Sequence, residues 1–180
     1  MQVTLIGIDP GIRDTGIVAI HLDTLRQQWR VTTQVWSDVT KLDKQSLVID
    51  TYFLDELTAF VDHENMENKA TFVGIEGYRQ RGNDIRQDQK MLGLVQSIHG
   101  TLKGSYIVDN TGIKNVVTEP MLKLFQVSKF PATHHADLKS AARVALKLGI
   151  NNDVLNRILS DFVRDNLDGS KWSLSSFETL

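Results

Sequence analysis

Two short apolar runs that each stop at a carboxylate constrain this chain more than any other feature. Val3 to Ile8 is rich in β-branched residues and reads as a strand buried on both faces; it runs into Asp9, then Pro10-Gly11. Ala70 to Ile75 is a second such run and stops at Glu76. Between them, from Gln45 to about Asp62, Leu47, Val48, Thr51, Leu54, Leu57, Phe60 and Val61 recur at three and four, the period of an amphipathic helix. A strand reached through a helical crossover lies parallel to its neighbour, so both acids are expected at one edge of one sheet. Desolvating an unpaired carboxylate is costly and a cation is its simplest partner, which makes Asp9 a candidate metal ligand. Asp-Pro-Gly is also ordinary turn chemistry, and Glu is common just beyond strand ends, so the two acids alone leave both readings open.

The remaining pattern builds a sheet around that pair. Gly16 to Ile20 and Gln28 to Trp36 read as second and third strands, joined to the first by short connections as an antiparallel meander, and Ser105 to Val108 reads as a fifth strand. The expected fold class is therefore α/β, a five-stranded mixed sheet flanked by helices. A helix is expected from Ile85 to Leu102, with Gly93 and Gly100 allowing close approach, and a short one from Pro120. An Ala-rich helix follows with Thr133 as its N-cap, then an amphipathic helix from Asn151 to Leu167 capped near Asn152. Thr111 to Val117 reads as a loop and Trp172 to Leu180 as an irregular tail. With no repeat or linker, 180 residues are expected to form a single domain with a sizeable core.

Composition excludes several classes. No stretch approaches the roughly twenty apolar residues of a membrane span, and the N-terminus lacks the basic patch of a signal peptide, so a cytoplasmic location is expected. The absence of cysteine removes disulfides and thiolate metal sites. The net charge of -2 hides an uneven distribution: residues 1–77 carry 6 Lys+Arg against 12 Asp+Glu, whereas residues 78–147 carry 11 against 5. Such a basic middle third can serve phosphates, or it can be a solvated helical surface.

That basic third holds the remaining candidates. Arg79, Arg81, Arg86 and Lys90 cluster just beyond Glu76, beside the proposed acid edge. In the Ala-rich helix, His134 and Asp137 are three apart and project from one side of the first turn, whereas His135 points about a hundred degrees away. An Asp at a helix start also has a purely structural role against the macrodipole.

Taken together, Gly7-Ile8-Asp9-Pro10-Gly11 with Thr15-Gly16, Ile75-Glu76 at a strand end, and His134-x-x-Asp137 followed by Ala141 and Ala142 resemble the RuvC family of Holliday-junction resolvases, within the ribonuclease H-like superfamily. The resemblance covers roughly residues 3 to 148; small size, the lack of cysteine and the divergent loop at Tyr78 suggest a phage-type member. It implies three antiparallel strands followed by two parallel ones, with Asp9, Glu76, His134 and Asp137 as metal-binding catalytic positions. It also implies Lys114 and Lys123 near the scissile phosphate, an aromatic wedge for which Tyr78 is the nearest candidate, and a homodimer with the helix after Glu76 at its interface.

The implied activity is a structure-selective endonuclease that resolves four-way DNA junctions by paired symmetric nicks. Two divalent ions about 4 Å apart would activate water and neutralise the phosphate, with Asp9 bridging them. Hard oxygen ligands suit Mg²⁺, and an imidazole at His134 makes Mn²⁺ an effective substitute. The alternatives are a monomeric RNA–DNA hybrid or flap nuclease with the same ligands, a non-catalytic DNA-binding relative, and an actin-like nucleotide-binding module, whose second domain 180 residues cannot hold.

Overall fold

The computed structural model describes residues 1–43, 46–65, 70–79, 85–169 and 171–180. Strand β1 (Gln2–Asp9) pairs antiparallel with β2 (Asp14–Asp23), and β2 pairs antiparallel with β3 (Gln28–Ser37). On its other side β1 pairs parallel with β6 (Ala70–Gly77), which in turn pairs parallel with β7 (Tyr106–Asp109). This much is the expected five-stranded sheet. Every strand in it except β2 points the same way, so the last residues of β1 and β6 and the first residue of β2 share one edge.

Side-chain alternation sorts the sheet into two covered faces. Ile6, Ile8, Ile17, Ala19, Val73 and Ile75 face helices α1 (Thr51–Asn65) and α2 (Ile85–Thr101), with Phe53, Leu57, Phe60, Leu94, Val95 and Ile98 completing that layer. Val3, Leu5, Val18, Ile20, Leu22 and Val31 face the other way. They bury against α4 (Glu119–Leu124), α5 (His135–Ile150) and α6 (Asp153–Leu167).

Helix α5 lies directly on the sheet because the residues beneath it have no side chains. A Cβ at Gly7 would stand 2.0 Å from the Ala141 carbonyl oxygen, and one at Gly16 would stand 3.0 Å from the Asp137 carbonyl carbon. Ala141, Ala142 and Ala145 complete the close approach from the helix side. Gly7 precedes Asp9 by two positions and Gly16 follows Asp14 by two, so the glycines bring the helix down over the acid edge itself.

Several boundaries differ from the sequence expectation. Trp172 to Leu180 is not an irregular tail: Ser173–Thr179 forms β8, parallel to β3, and makes the sheet six-stranded. Trp172 anchors it, buried edge-on against Phe162, which also stacks on Phe125. The residues before α1 are a separate hairpin, β4 (Thr40–Asp43) with β5 (Ser46–Ile49), and Asp50 starts the helix by accepting the Tyr52 backbone N–H at 3.1 Å. Thr111 to Val117 contains a short helix, α3 (Ile113–Val116). Thr133 does not cap α5; a 3₁₀ turn over Ala132–His134 leads into it and His134 holds the N-cap position. Gly93 and Gly100 sit in open space, since a Cβ at either meets nothing within 4 Å. The cap at Asn152 is as expected, accepting the Val154 and Leu155 backbone N–H groups at 3.1 and 3.2 Å. Among the described residues, no helix is long and apolar enough to cross a membrane.

Candidate metal centre at the carboxyl edge of the sheet

Alternation places Asp9 on the same face as Leu5 and Gly7, and Glu76 on the same face as Gly74, whose Cβ position abuts Val144 of α5. Both carboxyls thus project under the first turns of α5. There the Asp9 and Glu76 carboxyls are near neighbours, and Asp137 lies close enough for its charge to be felt at Asp9. Burial, then the Glu76 carboxylate and after it Asp137, push the Asp9 carboxyl from 3.8 up to about 9, with the Ser140 hydroxyl opposing. Two carboxylates this close cannot both stay ionised unless a proton or a cation lies between them.

Glu76 is held from two directions. Ser140, one turn beyond Asp137 on α5, donates to its Oε2 at 2.7 Å, and Asn110, just after β7, donates to its Oε1 at 3.1 Å. Asn110 is itself fixed from below. The buried Lys147 donates its Nζ to the carbonyl oxygens of Asp109 at 2.5 Å and Thr111 at 3.1 Å, gripping the residues on either side.

Beside this pair stands a second group. One ligand atom each from Asp14, His134 and Asp137 all lie within 4.8 Å of one another, each residue half-buried. Burial and then the Asp14 charge raise the Asp137 carboxyl, and His134 opposes. The His134 Nδ1 is buried with no hydrogen-bond partner among the described residues. His135 does turn away: its Nδ1 accepts the Phe130 backbone N–H at 3.2 Å.

The structure thus brings Asp9, Glu76, Asp137 and His134 to one edge. Tyr78 packs on the α1–α2 layer and donates its hydroxyl to Asp88 of α2 at 2.5 Å. Arg79 pairs with Asp109 at 3.4 Å, both side chains exposed. Arg86 is exposed on the first turn of α2 with the half-buried Lys90 one turn on, and Arg81 lies outside the described residues. Lys114 is exposed on α3 and Lys123 on α4; Lys123 shares its neighbourhood with Glu119, which pairs with Lys139 at 3.0 Å and Arg143 at 3.5 Å.

Sequence reasoning missed Asp14, Asn110, Ser140 and Lys147. Asp14 left a usable signal: a strand antiparallel to β1 must begin at the edge where β1 ends. The others left none, because a lone Ser, Asn or Lys declares no partner until the chain has folded.

Strand order and this acid edge define the class: a mixed α/β fold, antiparallel then parallel strands flanked by helices, with carboxylates and an imidazole gathered at one end of its sheet. No protein-family model matches the chain, and no curated protein matches it. Among solved structures, it is similar to T. thermophilus RuvC, described in complex with a Holliday junction substrate, at 17% identity over 80% of this chain and 90% of that one, with a TM-score of 0.48. It is also similar to the nuclease domain of g2p, the large terminase of bacteriophage SPP1, described with bound Mn, at 12% identity over 81% of this chain and 85% of that one, with a TM-score of 0.38.

Proposed function

We propose that this chain is a divalent-metal-dependent endonuclease acting on branched DNA, four-way junctions foremost. The observation that carries the reading is the gathering of acids at one end of the sheet, Asp9 beside Glu76 and Asp137 beside His134, whose mutual repulsion a cation would relieve. The donor set fits such ions: carboxylates from Asp9, Glu76 and Asp137 suit Mg²⁺, and the imidazole of His134 widens the choice to Mn²⁺. Bound there, a pair of divalent ions supplies an activated water and neutralises charge on a phosphodiester.

The chain's own groups do the rest. Asp9, Glu76, His134 and Asp137 hold the cations. Ser140 and Asn110 fix both oxygens of Glu76, so the carboxylate need not reorganise when a cation arrives. Lys147 keeps Asn110 in place through the neighbouring carbonyls. Lys114 and Lys123 supply positive charge for the phosphate at the cut; Tyr78, Arg79, Arg86 and Lys90, on β6, α2 and their flanks, take the DNA arms, and Arg81 adds its charge to that contact. Symmetric cutting needs two centres and hence a twofold dimer. Exposed apolar side chains at Ile85 on α2 and at Tyr106 and Ile107 on the edge strand β7 support that arrangement.

The test is cleavage of a synthetic four-way junction beside a linear duplex, a flap and an RNA–DNA hybrid, with Mg²⁺ or Mn²⁺ and with both nicks mapped. Paired symmetric nicks on the junction are expected, together with a dimer in sedimentation at micromolar concentration. Preferential cleavage of the hybrid by a monomer would replace this reading with that of a hybrid nuclease.

A further inference from the structure

Asp14 has no part in the four-ligand reading, yet its carboxylate stands where a ligand would. It is the first residue of β2, on the same side of the sheet as Gly16, and Gly16 sits beneath the Asp137 backbone. Its oxygen, one from Asp137 and a ring nitrogen of His134 fall within 4.8 Å of one another, which is the span of donors around a single ion. Among the described residues, its partner is Arg13 at 3.9 Å, a side chain 90% exposed, and none of those residues donates a hydrogen bond to this carboxylate. The second observation is the imidazole: His134 Nδ1 is buried and makes no hydrogen bond among the described residues. Two acids that repel, brought by separate elements against an imidazole with an idle buried nitrogen, have one simple occupant.

We propose that Asp14 is a fifth metal ligand, and that with His134 and Asp137 it forms a discrete cation site beside the all-oxygen pair of Asp9 and Glu76. The two sites then differ in chemistry. Asp9 and Glu76 offer hard oxygens alone, a Mg²⁺ environment. Asp14, Asp137 and His134 offer two oxygens and a nitrogen, which favours Mn²⁺ or a later divalent ion over Mg²⁺. The inference rests on the metal-binding reading of His134 and Asp137 given above, and it is independent of what the protein cuts.

Mn²⁺ binding to the full chain tests it, followed by calorimetry and by pulsed electron paramagnetic resonance, in which an imidazole ligand imprints nitrogen modulation on the Mn²⁺ echo. In the wild type, nitrogen-modulated Mn²⁺ is expected. Asp14→Asn should weaken that ion about tenfold or more, since even outer partners of a metal site are worth roughly 10- to 100-fold. His134→Ala should remove the modulation, and Glu76→Gln should leave it in place. The metal-free melting temperature of Asp14→Asn should not fall, because the substitution relieves repulsion with Asp137. Undiminished nitrogen-modulated Mn²⁺ in Asp14→Asn overturns the inference, as does a large loss of metal-free stability with metal binding unchanged. If the wild type cuts no DNA but Asp14→Asn still loses this ion, the nuclease reading fails and the fifth ligand stands. Junction cleavage by a protein whose Mn²⁺ binding is indifferent to Asp14 keeps the nuclease and removes the fifth ligand.

Discussion

Asp9 is the residue whose chemistry is most altered by folding. Its carboxyl moves from 3.8 to about 9 because burial and the Glu76 and Asp137 charges disfavour the ionised form. A group whose folded pKa is raised stabilises the fold at low pH and loses that contribution as pH rises through the folded value. Without metal, the chain should therefore melt at a lower temperature at pH 8 than at pH 5, the decline running between roughly pH 4 and 9. Mg²⁺ or Mn²⁺ binds the deprotonated form, so adding either should flatten or reverse the trend. Thermal melts across pH with and without metal measure this. Asp9→Asn should raise metal-free stability at pH 8 and abolish cleavage while leaving junction binding intact; substantial cleavage by this variant with Mg²⁺ would defeat the assignment. Ser140→Ala removes one of the two donors that orient Glu76, and a loss of about tenfold in cleavage rate with an unchanged fold is expected from the cost of outer-sphere partners. Asp9 and Glu76 were legible in the sequence because an acid that ends an apolar strand is locally conspicuous. Ser140 and Asn110 were not, because their significance lies wholly in the group they face.

At the scale of elements, the meeting of α5 with the sheet decides whether the centre exists. Gly7 is the contact point, and the atoms a Cβ would strike there are backbone, the Ala141 carbonyl oxygen at 2.0 Å and the Ala145 nitrogen at 2.5 Å, which no rotamer change can clear. Gly7→Val should cost about 3 kcal/mol in urea unfolding, toward the upper end of ordinary overpacking, and should lift the first turn of α5 from Asp9. Metal affinity should then fall with stability, which calorimetry on the same variant checks. The apolar period of 3.6 and the alanine content made α5 readable as a close-packed helix. Its start was less readable, since a 3₁₀ turn with no side-chain cap replaces the expected Thr133 cap. The hairpin β4–β5 was obscured for a different reason. Its apolar residues run on into those of α1, and a strand and the helix that follows it cannot be separated by spacing alone over so few positions.

For the whole molecule, the sheet has a working edge and a supporting edge. Strand β8 closes the far side next to β3, held by Trp172 against Phe162, which also meets Trp29 edge-on at 5.2 Å. Trp172→Ala should cost about 4 kcal/mol in unfolding free energy, the range for deleting a large buried aromatic, while metal affinity per folded chain stays at the wild-type value. Urea titration paired with Mn²⁺ binding separates the two quantities; a parallel loss of both would mean that the edges are coupled. The amino-acid sequence by itself determined the strands β1 and β6, the acids at their ends, the crossover that makes them parallel and the helix that starts beside His134 and bears Asp137, because each is written in local periodicity and strand sense. Only the tertiary structure decided that Asp14 joins the imidazole, that Asn110 and Lys147 support Glu76, and that Ser173–Thr179 becomes a strand. That last segment is mostly exposed and poor in apolar residues, so its backbone becomes a strand only when the unpaired edge of β3 offers it hydrogen bonds. Those features arise from what two distant stretches present to one another, and a one-dimensional pattern carries no record of it.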